Sequence, residues 1–254
     1  MHQSVLDAFV SFSTPLEGSV RSLYADVKGL LTVGIGCLVD PVSLALPLPW
    51  VMPDGSPASQ DEISKQWHVV KTQANPRLHW RFAERLSTMR LTDAGVLQVA
   101  DDRLKANEAI LRKYFTHWDD LPADAQLCCC SMAWAVGAGF PIIFSNFTRL
   151  LNNGDYGGAI EACGIKTDGN PGIVPRNAAN RLCLGNARKA AALAYPASQL
   201  FWPGVPPEAT DPEWALKAEA EAALAKHPPH FGWETAGQSV SEWQRAQEDA
   251  EPNA

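Results

Sequence analysis

The run EGSVRSLYADVKGLLTVGIG, residues 17–36, decides how the N-terminal part of this chain folds. Apolar residues just before it recur at helical spacing, which predicts a short helix that ends near 15–18. From 23 to 39 the chain is rich in β-favouring residues and contains three glycines, a pattern that predicts a small hairpin. The run therefore leads from Glu17 at a helix end into a hairpin that carries Asp26 and Thr32.

Two carboxyl groups on separate elements are what hydrolysis of a glycosidic bond requires. One protonates the leaving oxygen, and the other activates water from the opposite face of the sugar. The hydroxyl of Thr32 could hold that water. Spacing alone also fits a simpler explanation, in which Glu17 and Asp26 are two solvated surface charges, because acidic residues are mostly exposed.

The rest of the chain is predicted to be mainly helical. An almost wholly apolar segment from Leu121 to Val136 predicts a buried central helix. Five prolines in 40–59 predict an irregular loop, and five in 196–212 predict a linker. The other helical patterns lie at about 61–73, 76–87, 92–115 with Thr92 as N-cap, 142–152, 155–163, 176–194, 211–226 and 240–248.

Charge and composition divide the chain into two parts. The net charge is −7 over 254 residues, and all of it falls in 196–254. We therefore expect a domain at 1–195 and an acidic C-terminal extension at 196–254, which holds four of the nine tryptophans. A neutral body with an acidic tail gives no electrostatic footprint for nucleic acid. No run approaches the roughly 20 apolar residues of a membrane span.

No cofactor or metal site is indicated by the sequence. The six cysteines form no CxxC pair, so Cys128, Cys129 and Cys130 are predicted to be small buried core residues. Gly34-Ile35-Gly36 lacks the third glycine of a dinucleotide fingerprint and predicts a tight turn. The N-terminus lacks a basic start followed by an apolar signal core, so we expect synthesis in the cytoplasm without a Sec signal peptide.

Four sequence blocks follow one another along the chain: Glu17-Gly18 with Tyr24-Ala25-Asp26-Val27-Lys28-Gly29 and Thr32-Val33-Gly34-Ile35-Gly36-Cys37; 121–140; Leu150-Leu151-Asn152-Asn153-Gly154-Asp155-Tyr156-Gly157-Gly158-Ala159; and Pro171-Gly172-Ile173-Val174-Pro175-Arg176. Together they cover 1 to about 195, and in this order they resemble the phage-type lysozymes, glycoside hydrolase family 24. The resemblance implies an α+β, mostly α, two-lobed fold. A small β-hairpin lobe would join a helical lobe built around the buried helix, with a helical C-terminal extension.

The resemblance also implies a reaction, hydrolysis of the β-1,4 bond between N-acetylmuramic acid and N-acetylglucosamine in peptidoglycan. Glu17 would be the general acid, Asp26 the ionised partner that activates water, and Thr32 a residue that holds that water. An inverting enzyme of this kind needs carboxyl groups roughly 6.5–9.5 Å apart. The residues that would bind substrate or support the site are Tyr24, Gly36, Cys37, Asn146 and Arg176.

Three positions depart from the family pattern. Cys37 stands where the family has His, Ala135 where it has Asn, and Asn177 where it has a second Arg. The last change leaves Arg176 as the candidate cation near Glu17. These departures affect the expected fit of substrate more than the expected chemistry.

Alternatives of other classes stay open on sequence grounds. A lysozyme-like fold could have lost catalysis and serve as a glycan-binding or structural module. A lytic transglycosylase or chitinase-type enzyme would use one Glu without the Asp and Thr. The biological setting is also open between a phage endolysin and an antibacterial effector exported by a type VI-like apparatus, each acting on peptidoglycan in the periplasm. The extension is hypothesised to dock on an adaptor, an immunity protein or the chain's own catalytic lobe.

Overall fold

The computed structural model describes residues 1–26, 29–74, 80–168 and 170–227. Its helices are α1 (Gln3–Glu17), α2 (Gln60–Gln73), α3 (Trp80–Glu84), α4 (Asp93–Leu111), α5 (Ala123–Val136), α6 (Phe140–Ile143), α7 (Ser145–Asn152), α8 (Tyr156–Ala162), α9 (Ile173–Ala192) and α10 (Asp211–Lys226). Its strands are β1 (Val20–Ala25), β2 (Leu31–Gly34), β3 (Cys37–Leu38), β4 (Trp50–Val51) and β5 (Arg90–Leu91). The expected α+β, mostly helical class is confirmed.

The described residues form two compact units, one made of 1–16 and 101–227 and the other of 17–100. In the first unit α5 is the central element, as its composition predicted. Every residue of α5 from Ala123 to Trp134 is buried, and the helix packs against α9. A helix that is apolar on all sides has no face that favours water, so burial within a bundle is its stable environment.

The segment after α9 packs on this helical unit instead of leaving it as a linker. The carboxylate of Asp124 on α5 accepts hydrogen bonds from the backbone N–H groups of Phe201 at 2.9 Å and Trp202 at 3.0 Å. The Trp202 ring lies 5.1 Å from the ring of Phe12, edge to face. Sequence pattern missed this because the acceptor lies 77 residues away from Phe201.

Helix α10 follows and packs closely on α9. A Cβ atom at Gly185 of α9 would stand 2.6 Å from the end of the Leu216 side chain of α10, so a larger residue there would require Leu216 to move. The predicted bounds 211–226 match α10. The predicted helix at 240–248 and two tryptophans, Trp233 and Trp243, lie outside the described residues.

The second unit contains a three-stranded antiparallel sheet in the order β1-β2-β3 and a two-stranded sheet of β4 and β5. The sequence predicted only a hairpin for the first sheet and an irregular loop for 40–59, so β3 and β4 were missed. Trp50 of β4 pairs with Leu91 of β5, and two-residue strands so far apart in sequence leave no local signature. Helix α2 packs on this unit through Ile63, Trp67 and Val70, which share one helical face.

Several predicted helices have different bounds in the structure. The predicted 142–152 is divided between α6 and α7, and α9 covers 173–192 instead of 176–194. Helix α3 covers only 80–84 of the predicted 76–87, and 75–79 lie outside the described residues. Helix α4 ends at Leu111, not at 115. The expected N-cap of α4 is supported, because Thr92 Oγ1 accepts a hydrogen bond from Gly95 N at 2.9 Å.

All six cysteines are buried free thiols, which confirms the prediction for Cys128, Cys129 and Cys130. Burial raises the pKa of the Cys130 thiol to about 12. Burial raises the pKa of Cys128, Cys129, Cys163 and Cys183 as well, so these thiols and that of Cys130 stay protonated and behave as small apolar side chains. Within the described ranges, the helices are all too short or too polar to cross a membrane.

Candidate active site

The β1-β2 hairpin places two of the predicted catalytic residues on one face. Tyr24 lies directly opposite Thr32, and Ala25 opposite Leu31. Backbone pairing continues one step further, because Asp26 N donates to Leu30 O at 2.9 Å. Side chains alternate between faces along a strand, so Asp26 and Thr32 occupy diagonal positions on the same face. Such diagonal neighbours are about 7–8 Å apart.

A hydrogen bond from the turn orients the carboxylate of Asp26. Its Oδ1 accepts from Leu30 N at 2.8 Å, while its backbone carbonyl accepts from Gly29 N at 2.9 Å. Gly29 has φ +75°, a left-handed conformation that glycine adopts at no steric cost. The turn therefore limits how this half-buried carboxylate can rotate.

Thr32 is 6% exposed, and its hydroxyl donates to Leu30 O at 3.3 Å, which is a long hydrogen bond. A hydroxyl can donate one hydrogen bond and still accept others. The Thr32 hydroxyl oxygen can therefore still accept a hydrogen bond. Thr32 is also diagonal to Asp26 in the hairpin. This pairing of a carboxylate and a hydroxyl is suited to holding a water molecule.

Glu17 is the last residue of α1 and is half-buried. Gly18 follows with φ +71°, and β1 begins at Val20. One short turn therefore joins Glu17, at the end of α1, to the first strand of the hairpin. Glu17, Asp26 and Thr32 belong to the same compact unit.

The supporting residues in this unit divide between the two faces of the sheet. Tyr24, 8% exposed, shares the face of Thr32. Cys37 pairs with Val33, so strand alternation puts it on the opposite face, where it is 2% exposed. Gly36, with φ +83°, lies in the turn that joins β2 to β3.

An ion pair that sequence reasoning missed anchors the hairpin turn. Lys71 Nζ of α2 contacts Asp40 Oδ2 at 2.6 Å and donates to Gly29 O at 2.8 Å. The same Asp40 oxygen accepts from Leu31 N at 3.2 Å. The hydrogen bond from Lys71 is the largest effect that holds the pKa of Asp40 below its usual range. No spacing rule links residues 31 positions apart, so no sequence signal pointed to this pair.

The other two predicted site residues belong to the helical unit. Arg176 on α9 is 2% exposed, and its Nη1 donates to Ser131 on α5, to the carbonyl at 3.2 Å and the hydroxyl at 3.0 Å. Asn146 on α7 is exposed and accepts from Arg149 at 2.8 Å. Arg176 thus contributes to the packing of α5 against α9, whereas Asn146 lies on a surface.

Asn177, which departs from the family pattern, has a structural role. Its amide accepts from Ile165 N at 3.0 Å and donates to Ile165 O at 2.7 Å. The side chain is 7% exposed and thereby satisfies both backbone groups of one residue. Ala135 is half-buried near the end of α5.

Among the described residues, no group of three or more His, Cys, Asp or Glu side chains is arranged to hold a metal ion. The chain matches no protein-family model, and a search of curated proteins found no match.

Proposed function

We propose that this protein is a peptidoglycan hydrolase, a muramidase that cleaves the β-1,4 bond between N-acetylmuramic acid and N-acetylglucosamine with inversion. Glu17 donates a proton to the leaving oxygen. Asp26 accepts a proton from the attacking water, and Thr32 helps to hold that water. No cofactor takes part in this mechanism.

The register of the hairpin that directly follows Glu17 carries the proposal: Asp26, one residue after the end of β1, is diagonal to Thr32. The hydrogen bond from Leu30 N also gives Asp26 the fixed orientation that a general base requires. The order of the four sequence blocks is the supporting argument.

The proposed substrate implies an extracytoplasmic site of action. We infer that the protein reaches peptidoglycan in the periplasm, as a phage endolysin or as an antibacterial effector. The acidic extension that follows 195 is the part proposed to contact an adaptor or immunity protein.

Digestion of purified peptidoglycan, followed by mass spectrometry of the muropeptides, tests the proposal. We expect products with free reducing ends from the wild-type protein, and a loss of kcat of about 10²-fold or more in Glu17→Gln and in Asp26→Asn, because general acid and base catalysis contribute about that much. Asp61→Asn, an exposed acid in the first turn of α2, is the matched control and keeps wild-type activity.

Three results would contradict the proposal. A wild-type rate in Glu17→Gln would show that Glu17 is not the general acid. Anhydro-muropeptide products would indicate a lytic transglycosylase. Binding of peptidoglycan by the wild-type protein without any cleavage would indicate a glycan-binding module.

A further inference from the structure

We propose that the ion pair of Lys71 and Asp40 is a positioning element for the reaction, which holds the turn that orients Asp26. The inference rests on the proposed function, because it assigns Lys71 and Asp40 a role in the same site. Neither residue is proposed to touch the substrate.

The contacts of the pair converge on the backbone of the turn. Lys71 Nζ donates to Gly29 O at 2.8 Å, and Asp40 Oδ2 accepts from Leu31 N at 3.2 Å. The residue between them, Leu30, donates its N–H to Asp26 Oδ1 at 2.8 Å. The pair therefore fixes the peptide groups on both sides of the residue that orients the carboxylate.

The anchor itself is held by a rigid element. Lys71 lies in the last turn of α2, one turn after Trp67. The indole Nε1 of Trp67 donates to Val39 O at 2.8 Å, and Val39 N donates to Leu31 O at 2.8 Å. Helix α2 is thus bound to the end of β3 as well as to the turn, so the lysine cannot follow a shift of the turn without moving the helix.

Partial burial makes the pair effective. The Asp40 side chain is 13% exposed and that of Lys71 is 34% exposed. Hydrogen bonds to charged groups are stronger than those between neutral groups, and limited solvent reduces their screening. Loss of the ammonium would leave Gly29 O without this donor and Asp40 without its counter-charge. A displacement of a catalytic group by about 1 Å is enough to reduce the rate by about 10²-fold.

The experiment compares kcat and KM for peptidoglycan digestion in Lys71→Met, Lys71→Arg and Asp40→Asn. We expect Lys71→Met to lose about 10- to 100-fold in kcat with KM within about twofold. Lys71→Arg keeps the charge and the donors, so it should recover most of the rate. Lys105→Met is the matched control, because it removes an exposed ion pair with Asp101 and should leave both constants unchanged.

A wild-type kcat in Lys71→Met would overturn the proposal, as would a loss that Lys71→Arg does not recover. If Lys71→Met does not fold, Asp40→Asn decides in the same way, and a wild-type kcat there overturns the proposal. Amide hydrogen exchange of Leu30 and Leu31 gives a readout independent of activity. Exchange at least about tenfold faster in Lys71→Met or Asp40→Asn shows that the pair holds the turn, whether or not the wild-type protein cleaves peptidoglycan, and unchanged exchange overturns the proposal.

Discussion

Glu213 offers a direct test of how α10 is held on the helical unit. Its Oε2 accepts from Thr210 N at 2.9 Å, a bond of the capping box of α10, and from the Thr210 hydroxyl at 2.7 Å. Its Oε1 accepts from Arg188 of α9 at 2.9 Å. Burial raises the pKa of Glu213, but the bonds from Thr210 and Arg188 together outweigh it and lower the pKa to about 2.

The substitution Glu213→Gln keeps the shape of the side chain and removes its charge. The ordinary pKa is 4.5, so the folded protein favours the carboxylate by about 3 kcal/mol. Arg188 is 41% exposed, and solvent screening reduces its share. We therefore expect the variant to lose about 2 kcal/mol of unfolding free energy at pH 7.

Urea denaturation of the full chain measures this loss. Because the folded pKa is depressed, the stabilisation by Glu213 is present above pH 4.5 and is lost as the pH falls towards 2, so the two proteins should converge there. Glu221→Gln is the control, since it breaks an exposed pair with Lys217 on the same helix and should change stability by less than about 0.5 kcal/mol. The reasoning is refuted if Glu213→Gln is as stable as the control at pH 7, or if its deficit persists at pH 2.

Two further predictions concern other sites. Burial raises the pKa of Asp124 from 3.8 to about 6, so the folded protein binds this proton more tightly than the unfolded chain does. The free energy of unfolding should therefore fall by about 3 kcal/mol as the pH rises from 4 to above 6. Asp124→Asn should abolish that part of the pH dependence in urea titrations, and an unchanged profile would contradict the assignment. Gly34 has φ +65°, so Gly34→Ala should lower the free energy of unfolding, measured by thermal denaturation, by about 1–2 kcal/mol. Gly139→Ala is the control, because Gly139 has φ −80°, and it should lower the free energy of unfolding much less. Equal losses in the two variants would argue against backbone strain at Gly34.

The elements that sequence pattern predicted well are those whose signal is local. The apolar composition of α5 identified a buried helix, and α10 was predicted with the observed bounds. Helical periodicity extends over ten or more residues, so such segments are the most predictable. Strands β4 and β5 have two residues each and were missed, because their pairing depends on segments almost 40 positions apart.

The candidate site shows the same division. The order of Glu17, Asp26 and Thr32 could be interpreted from the sequence, and so could the turn between β1 and β2. Register was not predictable, because a shift by one residue moves every side chain to the other face and the turn residues did not specify it. Only the structure gave the register, which sets Thr32 opposite Tyr24 and diagonal to Asp26 and puts Cys37 on the opposite face.

The amino-acid sequence by itself determined the helical class, the buried central helix and the order of the acidic residues around the hairpin. Tertiary structure alone decided which side chains, distant in sequence, bind the hairpin turn and the segment after α9. Lys71 contacts the turn at Gly29 O and also pairs with Asp40, and Asp124 binds the backbone of the segment after α9. The physical reason is the range of each effect. Helix propensity and capping act between residues that are close in sequence, whereas a buried charged group forms hydrogen bonds with groups that only the folded chain places near it.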